Sequence, residues 1–210
     1  MPGLHHFYHV YADGYWQPIV KEHIRALKQY GLYENLESFN IGCVGSDENF
    51  NNLVNFLNEE DVDCTIVAHE TTGWEQVTLK QLWLKAKDHP NDVFLYCHTK
   101  GAANAGYLQD VWRMGMTRKL VVEWVIAVEQ LRNGFSTVGC HFHYNNIDNP
   151  NPFWGGNFWW ATGKHINLLD ECKNERRHNA ESWIGTIYQS PEFNPLDIWP
   201  VPIASPTEGY

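Results

Sequence analysis

The feature that most constrains this chain is the regular alternation of short apolar runs with stretches whose apolar residues recur at helical spacing. His6 to Ala12 reads as a strand and Asp13-Gly14 as the turn after it. Trp16, Ile19, Val20, His23, Ile24, Leu27 and Tyr30 then mark one helix face, with Pro18 tolerated in the first turn and Gly31 as a stop. Phe39 to Val44 is a second strand. It leads through Gly45 to Ser46, a suitable N-cap, and Asp47 and Glu48 favour the positive end of a helix carrying Phe50, Leu53, Val54 and Leu57 inward. Cys64 to Ala68 is a third strand, followed by a helix from Trp74 to Asp88 that turns Leu79, Leu82, Trp83 and Ala86 to one side and breaks at His89-Pro90-Asn91-Asp92. The fourth strand, Val93 to Cys97, is continuously apolar, as a strand covered on both faces should be.

This rhythm implies an α/β fold: a mostly parallel, Rossmann-like sheet flanked by helices, whose ligands bind beyond the carboxyl ends of the strands. With 210 residues, 43% of them hydrophobic, the chain can build one substantial core, so a single domain over 1–210 is expected. The second half is less regular. A helix is predicted from Leu108 to Arg132 with Leu120, Trp124, Ala127 and Leu131 inward, then a fifth strand from Phe135 to Phe142 and a Pro-, Asn- and Trp-rich loop from Tyr144 to Gly156. Phe158 to Thr162 reads as a strand, Lys164 to Cys172 and Glu181 to Tyr188 as short helices, and the proline-rich tail, 191–210, as an extended wrap over the body.

Several partner classes are disfavoured. No apolar run approaches the roughly 20 residues of a membrane span, and the first residues lack the basic and apolar regions of a signal peptide, so a soluble, cytoplasmic protein is expected. Five cysteines without CxxC spacing, Cys43, Cys64, Cys97, Cys140 and Cys172, read as buried reduced thiols. A net charge of −10 argues against a broad phosphate-backbone footprint, which ranks nucleic acid low among partners.

Three segments could carry chemistry. Tyr96 to Gly101 turns abruptly polar at the end of a buried strand: His98, Thr99 and Lys100 precede Gly101 and a run of small residues, where a cation and backbone N–H groups could hold a diphosphate. Trp154 to Trp160 contains Gly155 and Gly156, which allow close approach to a ligand, and Asn157, which could bond sugar hydroxyls; Trp159 and Trp160 face opposite ways on a strand, so at most one lines a given cleft. Arg176 to Gly185 opens a short helix with His178 and Glu181 near its start. Glu181 there could be a general base or a first-turn complement to the helix dipole. His141 and His143 are spaced to point the same way from a strand; they could form half of a metal site, but a strand-end pair meeting solvent or substrate is the favoured reading.

The order of these features resembles the GT-A class of nucleotide-sugar glycosyltransferases. More closely, Tyr96-Cys97-His98-Thr99-Lys100-Gly101, Trp112-Arg113-Met114, Gly155-Gly156-Asn157-Phe158-Trp159-Trp160-Ala161 and Ala180-Glu181-Ser182-Trp183-Ile184-Gly185 resemble segments of bacterial and phage glycosyltransferase-like proteins. The resemblance implies a nucleotide-sugar donor, a UDP-sugar foremost, with base and ribose near Val10, Tyr11 and Ala12. It sets the diphosphate near His98, Thr99, Lys100 and Gly101 with Arg113 in support, and the sugar and acceptor near Gly155, Gly156, Asn157, Trp159 and His178. Glu181 would deprotonate an acceptor hydroxyl in an inverting reaction, and the acceptor would be a glycan or another hydroxyl-bearing molecule, modified phage DNA included.

The class usually places Asp-x-Asp after the fourth strand to hold a divalent cation, whereas this chain has His98-Thr99-Lys100 there. Asp61-Val62-Asp63 precedes the third strand, at the wrong end of the sheet. Lys100, helped by Arg113 or by Arg176 and Arg177, is therefore expected to neutralise the leaving group with no metal ligands assigned, although Mn²⁺ or Mg²⁺ stays open as a cofactor. A carbohydrate-binding module and an inactive GT-A scaffold are the alternatives to an enzyme.

Overall fold

The computed structural model describes residues 2–144, 151–173 and 176–199. Strands β1 (Leu4–Tyr11), β2 (Ser38–Val44), β3 (Thr65–Glu70) and β4 (Val93–His98) alternate with helices α1 (Gln17–Gln29), α2 (Asp47–Glu59) and α3 (Gln76–Asp88). Then follow α4 (Tyr107–Thr117), α5 (Trp124–Arg132), β5 (Thr137–Gly139), β6 (Phe142–His143), β7 (Phe153–Trp154), β8 (Trp159–Thr162), α6 (Gly163–Leu168), α7 (His178–Ser182) and β9 (Pro195–Asp197). The main sheet has seven strands in the order β3-β2-β1-β4-β8-β5-β9, and β6 pairs with β7 beside it. β1, β2, β3 and β4 are mutually parallel, β9 is parallel to β5, and β8 runs antiparallel between β4 and β5.

Alternation along the strands divides the core in two. Tyr8, Val10, Ile41, Cys43, Leu95, Cys97 and Trp160 face α1, α2 and α5, whereas Phe7, Phe94, Tyr96, Trp159 and Ala161 face α3, α6 and the Trp183 region. Trp159 and Trp160 are both fully buried, on opposite faces. Ser46 caps α2 by accepting from the Asn49 N–H at 3.3 Å. The cysteines are all unpaired, and burial pushes Cys43 and Cys172 up to about 12.

Three expectations need correction. The helix expected from Leu108 to Arg132 is broken by a wide π turn at Arg118–Val122, where the buried Trp160 indole donates to the Leu120 carbonyl at 2.8 Å. The strand expected from Phe135 to Phe142 ends at Gly139, because His141 adopts φ +57°; His141 and His143 therefore do not sit side by side on one strand. His143 stacks on Phe153 instead, while the His141 ring packs between Trp112 and Trp199. The tail contributes an edge strand, β9, with Pro195 at its first position, where no ladder donor is required. The loop residues 145–150 and the rest of the tail, 200–210, lie outside the described residues.

Candidate functional site

The carboxyl ends of β1 and β4 are tied together by Thr99. Its N–H donates to the His9 carbonyl at 2.9 Å, and its hydroxyl accepts the Tyr11 N–H at 2.9 Å. The chain then turns tightly, Lys100 N–H donating to His98 O at 2.7 Å and Ala102 N–H to Thr99 O at 3.0 Å. Against this turn lies the loop after β1, where Tyr15 N–H donates to the Ala102 carbonyl at 2.8 Å. Gly14 is required by that approach, since a Cβ there would collide with the Ala102 carbonyl.

The second segment turns at Gly156, φ +81°, and Asn157, φ +53°. His98 joins it to the first: its Nε2 lies 3.0 Å from the Gly156 carbonyl, and because a carbonyl only accepts, Nε2 carries the proton. His98 is held neutral, down to about 3, by burial first and by the Lys100 cation second; the Gly156 carbonyl and the Glu181 charge oppose this, and Arg177 adds to it. Lys100 itself lies 4.0 Å above the Trp112 ring, a cation–π contact that restrains the ammonium. Glu181 is in the first turn of α7, 25% exposed at its side chain, with His178 Nδ1 3.9 Å from Oε2.

Glu75, just before α3, lies at the centre and has no counterpart among the sequence candidates. Its Oε2 accepts from the Tyr96 hydroxyl at 2.9 Å and from Asn157 Nδ2 at 2.6 Å, and its Oε1 lies 3.7 Å from His98 Nδ1. Burial and the neighbouring carboxylate push the Tyr96 hydroxyl well above its ordinary range, so it stays a donor. The signal was available: Glu75 lies in the connection from β3 into α3, at the carboxyl end of a parallel sheet, where ligand-facing residues are to be sought.

Several of the sequence candidates have other work in the structure. Val10 and Ala12 are buried in the core and offer a base only their backbone, leaving Tyr11, half-buried, as the side chain of that group. Asn157 is fully buried; its Nδ2 donates to Glu75 and, at 3.4 Å, to the Ala180 carbonyl, and its Oδ1 accepts the Trp159 indole at 2.9 Å. Asn157 and Trp159 are therefore positioning residues that fix Gly156 and α7, not groups that touch a sugar. Arg113, 5% exposed, pairs with Asp110 at 2.8 Å and Glu22 at 3.2 Å and donates to the Lys100 carbonyl at 3.1 Å. Its charge is matched locally, and it shapes the Lys100 turn.

The sequence family described as "Domain of unknown function (DUF8361)" matches residues 7–194, from β1 to the residue before β9. The chain belongs to that family. No curated protein matches the DUF8361 chain. Among solved structures it resembles a 4-diphosphocytidyl-2C-methyl-D-erythritol synthase from Anaerococcus prevotii, at 9% identity and TM-score 0.55, over 93% of this chain and 87% of that one. A mannose-6-phosphate isomerase from Helicobacter pylori aligns at 9% identity over 92% of this chain and 96% of that one, with a TM-score of only 0.45. At such identity the first likeness shows the fold alone, and that fold is GT-A-like.

A GT-A resemblance would place a divalent ion after β4, and the DUF8361 residues there do not fit one. Among the described residues, no three metal-ligating side chains converge on His98, and a lysine stands beside it. Two groups that could hold an ion lie elsewhere: His6, His23 and Cys97 in the core, and His5, Glu37, His89 and Asp92 at the amino ends of the strands. No helix among the described residues is long and apolar enough to cross a membrane.

Proposed function

We propose that this protein is a glycosyltransferase that moves a sugar from a nucleotide-sugar, a UDP-sugar foremost, to an acceptor hydroxyl with inversion. The observation that carries the reading is the joining, through His98, of the β4-end turn that holds Lys100 over Trp112 to the Gly156 segment, with the Glu181 charge near enough to bear on the same imidazole. A cation and a carboxylate at one end of the sheet suit a reaction in which one group gains negative charge while another loses a proton. Glu181 takes the proton of the acceptor hydroxyl. The hydroxyl oxygen bonds to the anomeric carbon as the bond from that carbon to the diphosphate breaks, and the departing oxygen's charge is met by Lys100. Tyr11 and the backbone at the end of β1 receive the base and ribose. His98, held by the Gly156 carbonyl, fixes the spacing between the diphosphate turn and the sugar segment.

The test is a panel of nucleotide-sugars, scored for a melting shift, donor hydrolysis and transfer to hydroxyl acceptors. A response to one nucleotide class with sugar release supports the reading. Pyrophosphate release from a nucleoside triphosphate in the presence of a sugar phosphate would replace it with nucleotidyl transfer. Saccharide binding without any nucleotide response would replace it with a carbohydrate-binding module, and no response at all with an inactive scaffold.

A further inference from the structure

At the end of the sheet opposite Lys100, four potential metal ligands come together from three segments. His5 is the second residue of β1, Glu37 precedes β2, and His89 and Asp92 flank the turn from α3 into β4. One ligand atom from each lies within 4.8 Å of every other. His5 Nε2 is 3.1 Å and His89 Nδ1 2.9 Å from the same oxygen, Asp92 Oδ2.

The backbone fixes the cluster before any ion arrives. Glu37 N–H donates to the Leu4 carbonyl at 2.8 Å, Val93 N–H to the Gly3 carbonyl at 3.0 Å, and Gly3 N–H to Asp92 Oδ1 at 2.8 Å. The Glu37 carboxylate folds over Gly3, where a Cβ would strike Oε2. Hydrogen bonding accounts for His5, Asp92 and His89; Glu37, exposed on the solvent side, brings a second carboxylate within 4.8 Å of both imidazoles and of Asp92. An ion seated there would lie between two carboxylates that otherwise repel.

We propose that His5, Glu37, His89 and Asp92 form a structural site for a divalent ion of the zinc class. Two imidazoles with two carboxylates match a borderline cation better than Mg²⁺ or Ca²⁺, which favour all-oxygen sets. Tetrahedral bonds of about 2.0–2.1 Å place ligand atoms roughly 3.3–3.4 Å apart, so the His–Asp contacts need open by only a few tenths of an ångström while the longer pairs close. His5 is prepared for the change. Its Nδ1 lies 2.9 Å from the Ser38 hydroxyl, which accepts from Asn40 Nδ2 at 2.8 Å and can give its own proton to Nδ1. When Nε2 takes the metal, the imidazole proton moves to Nδ1 and is donated to Ser38, the outer-shell partner a ligating histidine needs. Four protein ligands leave no open position, so the ion would clamp the amino ends of β1, β2 and β4, about 20 Å along β1 from the Lys100 end. The other group differs. His6 donates Nδ1–H to the Leu95 carbonyl and shares one proton with His23 across 2.7 Å, which accounts for that pair without an ion.

The full-length protein, stripped with chelator, should take up one Co²⁺ per chain with the intense visible bands of four-coordinate cobalt, displaced by Zn²⁺. Saturating Zn²⁺ should raise Tm on the order of 5–10 °C. His89→Ala and Glu37→Gln, both at the cluster's solvent side, should each weaken Co²⁺ binding at least about tenfold and remove the Zn²⁺-dependent rise, with unchanged far-UV circular dichroism. Absence of uptake, equal affinity in both variants, or a near-ultraviolet thiolate-to-cobalt band reporting Cys97 would each overturn the assignment.

Discussion

Acidification should unfold this protein at a pH where its carboxylates are still ionised, because histidines are built into its interior as neutral groups. His9 lies between β1 and α3 with Nδ1 2.8 Å from the Thr78 hydroxyl, His98 donates to the Gly156 carbonyl, and His165 donates to the Ile184 carbonyl at 2.8 Å. Burial holds them down to about 4, 3 and 4 respectively. In the unfolded chain each returns to about 6.5. Between about pH 4 and 6.5 the unfolded chain therefore binds protons that the folded chain does not, and stability falls as pH falls. From pH 7 to pH 5 each group contributes a loss of about 1.9 kcal/mol, so the three together remove roughly 5–6 kcal/mol from a total that for domains is about 5–15. The buried His6, held down to about 3, and His23, also lowered by burial, add in the same direction. Urea unfolding followed by circular dichroism at pH 7, 6 and 5 measures the effect, and His165→Gln should reduce the fall by about 1.9 kcal/mol. A stability at pH 5 within about 1 kcal/mol of that at pH 7 would refute the neutral interior histidines.

Glu181→Gln should bind the nucleotide as well as the parent chain does and lower transfer by about 10²–10⁴-fold in kcat; retained transfer would remove Glu181 as the base. Lys100→Met should lower kcat/KM by about 10²–10³-fold, and adding Mn²⁺ or Mg²⁺ should not raise the turnover of the parent enzyme; stimulation by either ion would show that the leaving group is met by a metal. Gly156→Ala forces a side chain into φ +81° with its Cβ 2.7 Å from Met116 Sδ, a cost of about 1–3 kcal/mol readable in urea; the smaller Met116→Ala background should recover the steric part only. Glu75→Gln keeps one acceptor oxygen for two donors, Tyr96 and Asn157, and should destabilise by about 1–3 kcal/mol.

The parallel half of the fold was legible in the sequence because its determinants are local. A strand buried on both faces, such as Val93 to Cys97, must be apolar throughout, and an adjoining helix such as α1 must carry its apolar residues on one side. What escaped depends on residues far apart in the chain. Nothing between Arg118 and Val122 marks a π turn; the partner that takes up its freed Leu120 carbonyl is the indole of Trp160, forty positions on. The apolar run from Phe135 to Phe142 reads as one strand until His141 turns left-handed to let its carbonyl meet the Gly155 N–H at 2.9 Å.

The same division explains the candidate site. Strand ends told where polar residues would gather, and His98, Thr99 and Lys100 do close the end of β4. They did not tell which polar residues would face a ligand and which would hold the others, since that depends on partner count. Asn157 resembles a sugar contact only until Glu75, the Ala180 carbonyl and the Trp159 indole occupy its amide; a buried amide with those partners has little capacity left for a ligand. Glu75 escaped because the partners that converge on it, Tyr96 and Asn157, lie 21 and 82 positions away. It follows that substitutions at Glu75 and Asn157 should act on folding and on the spacing of the two segments, and those at Lys100 and Glu181 on turnover. A variant of Asn157 that kept full stability while losing only sugar affinity would reverse that assignment.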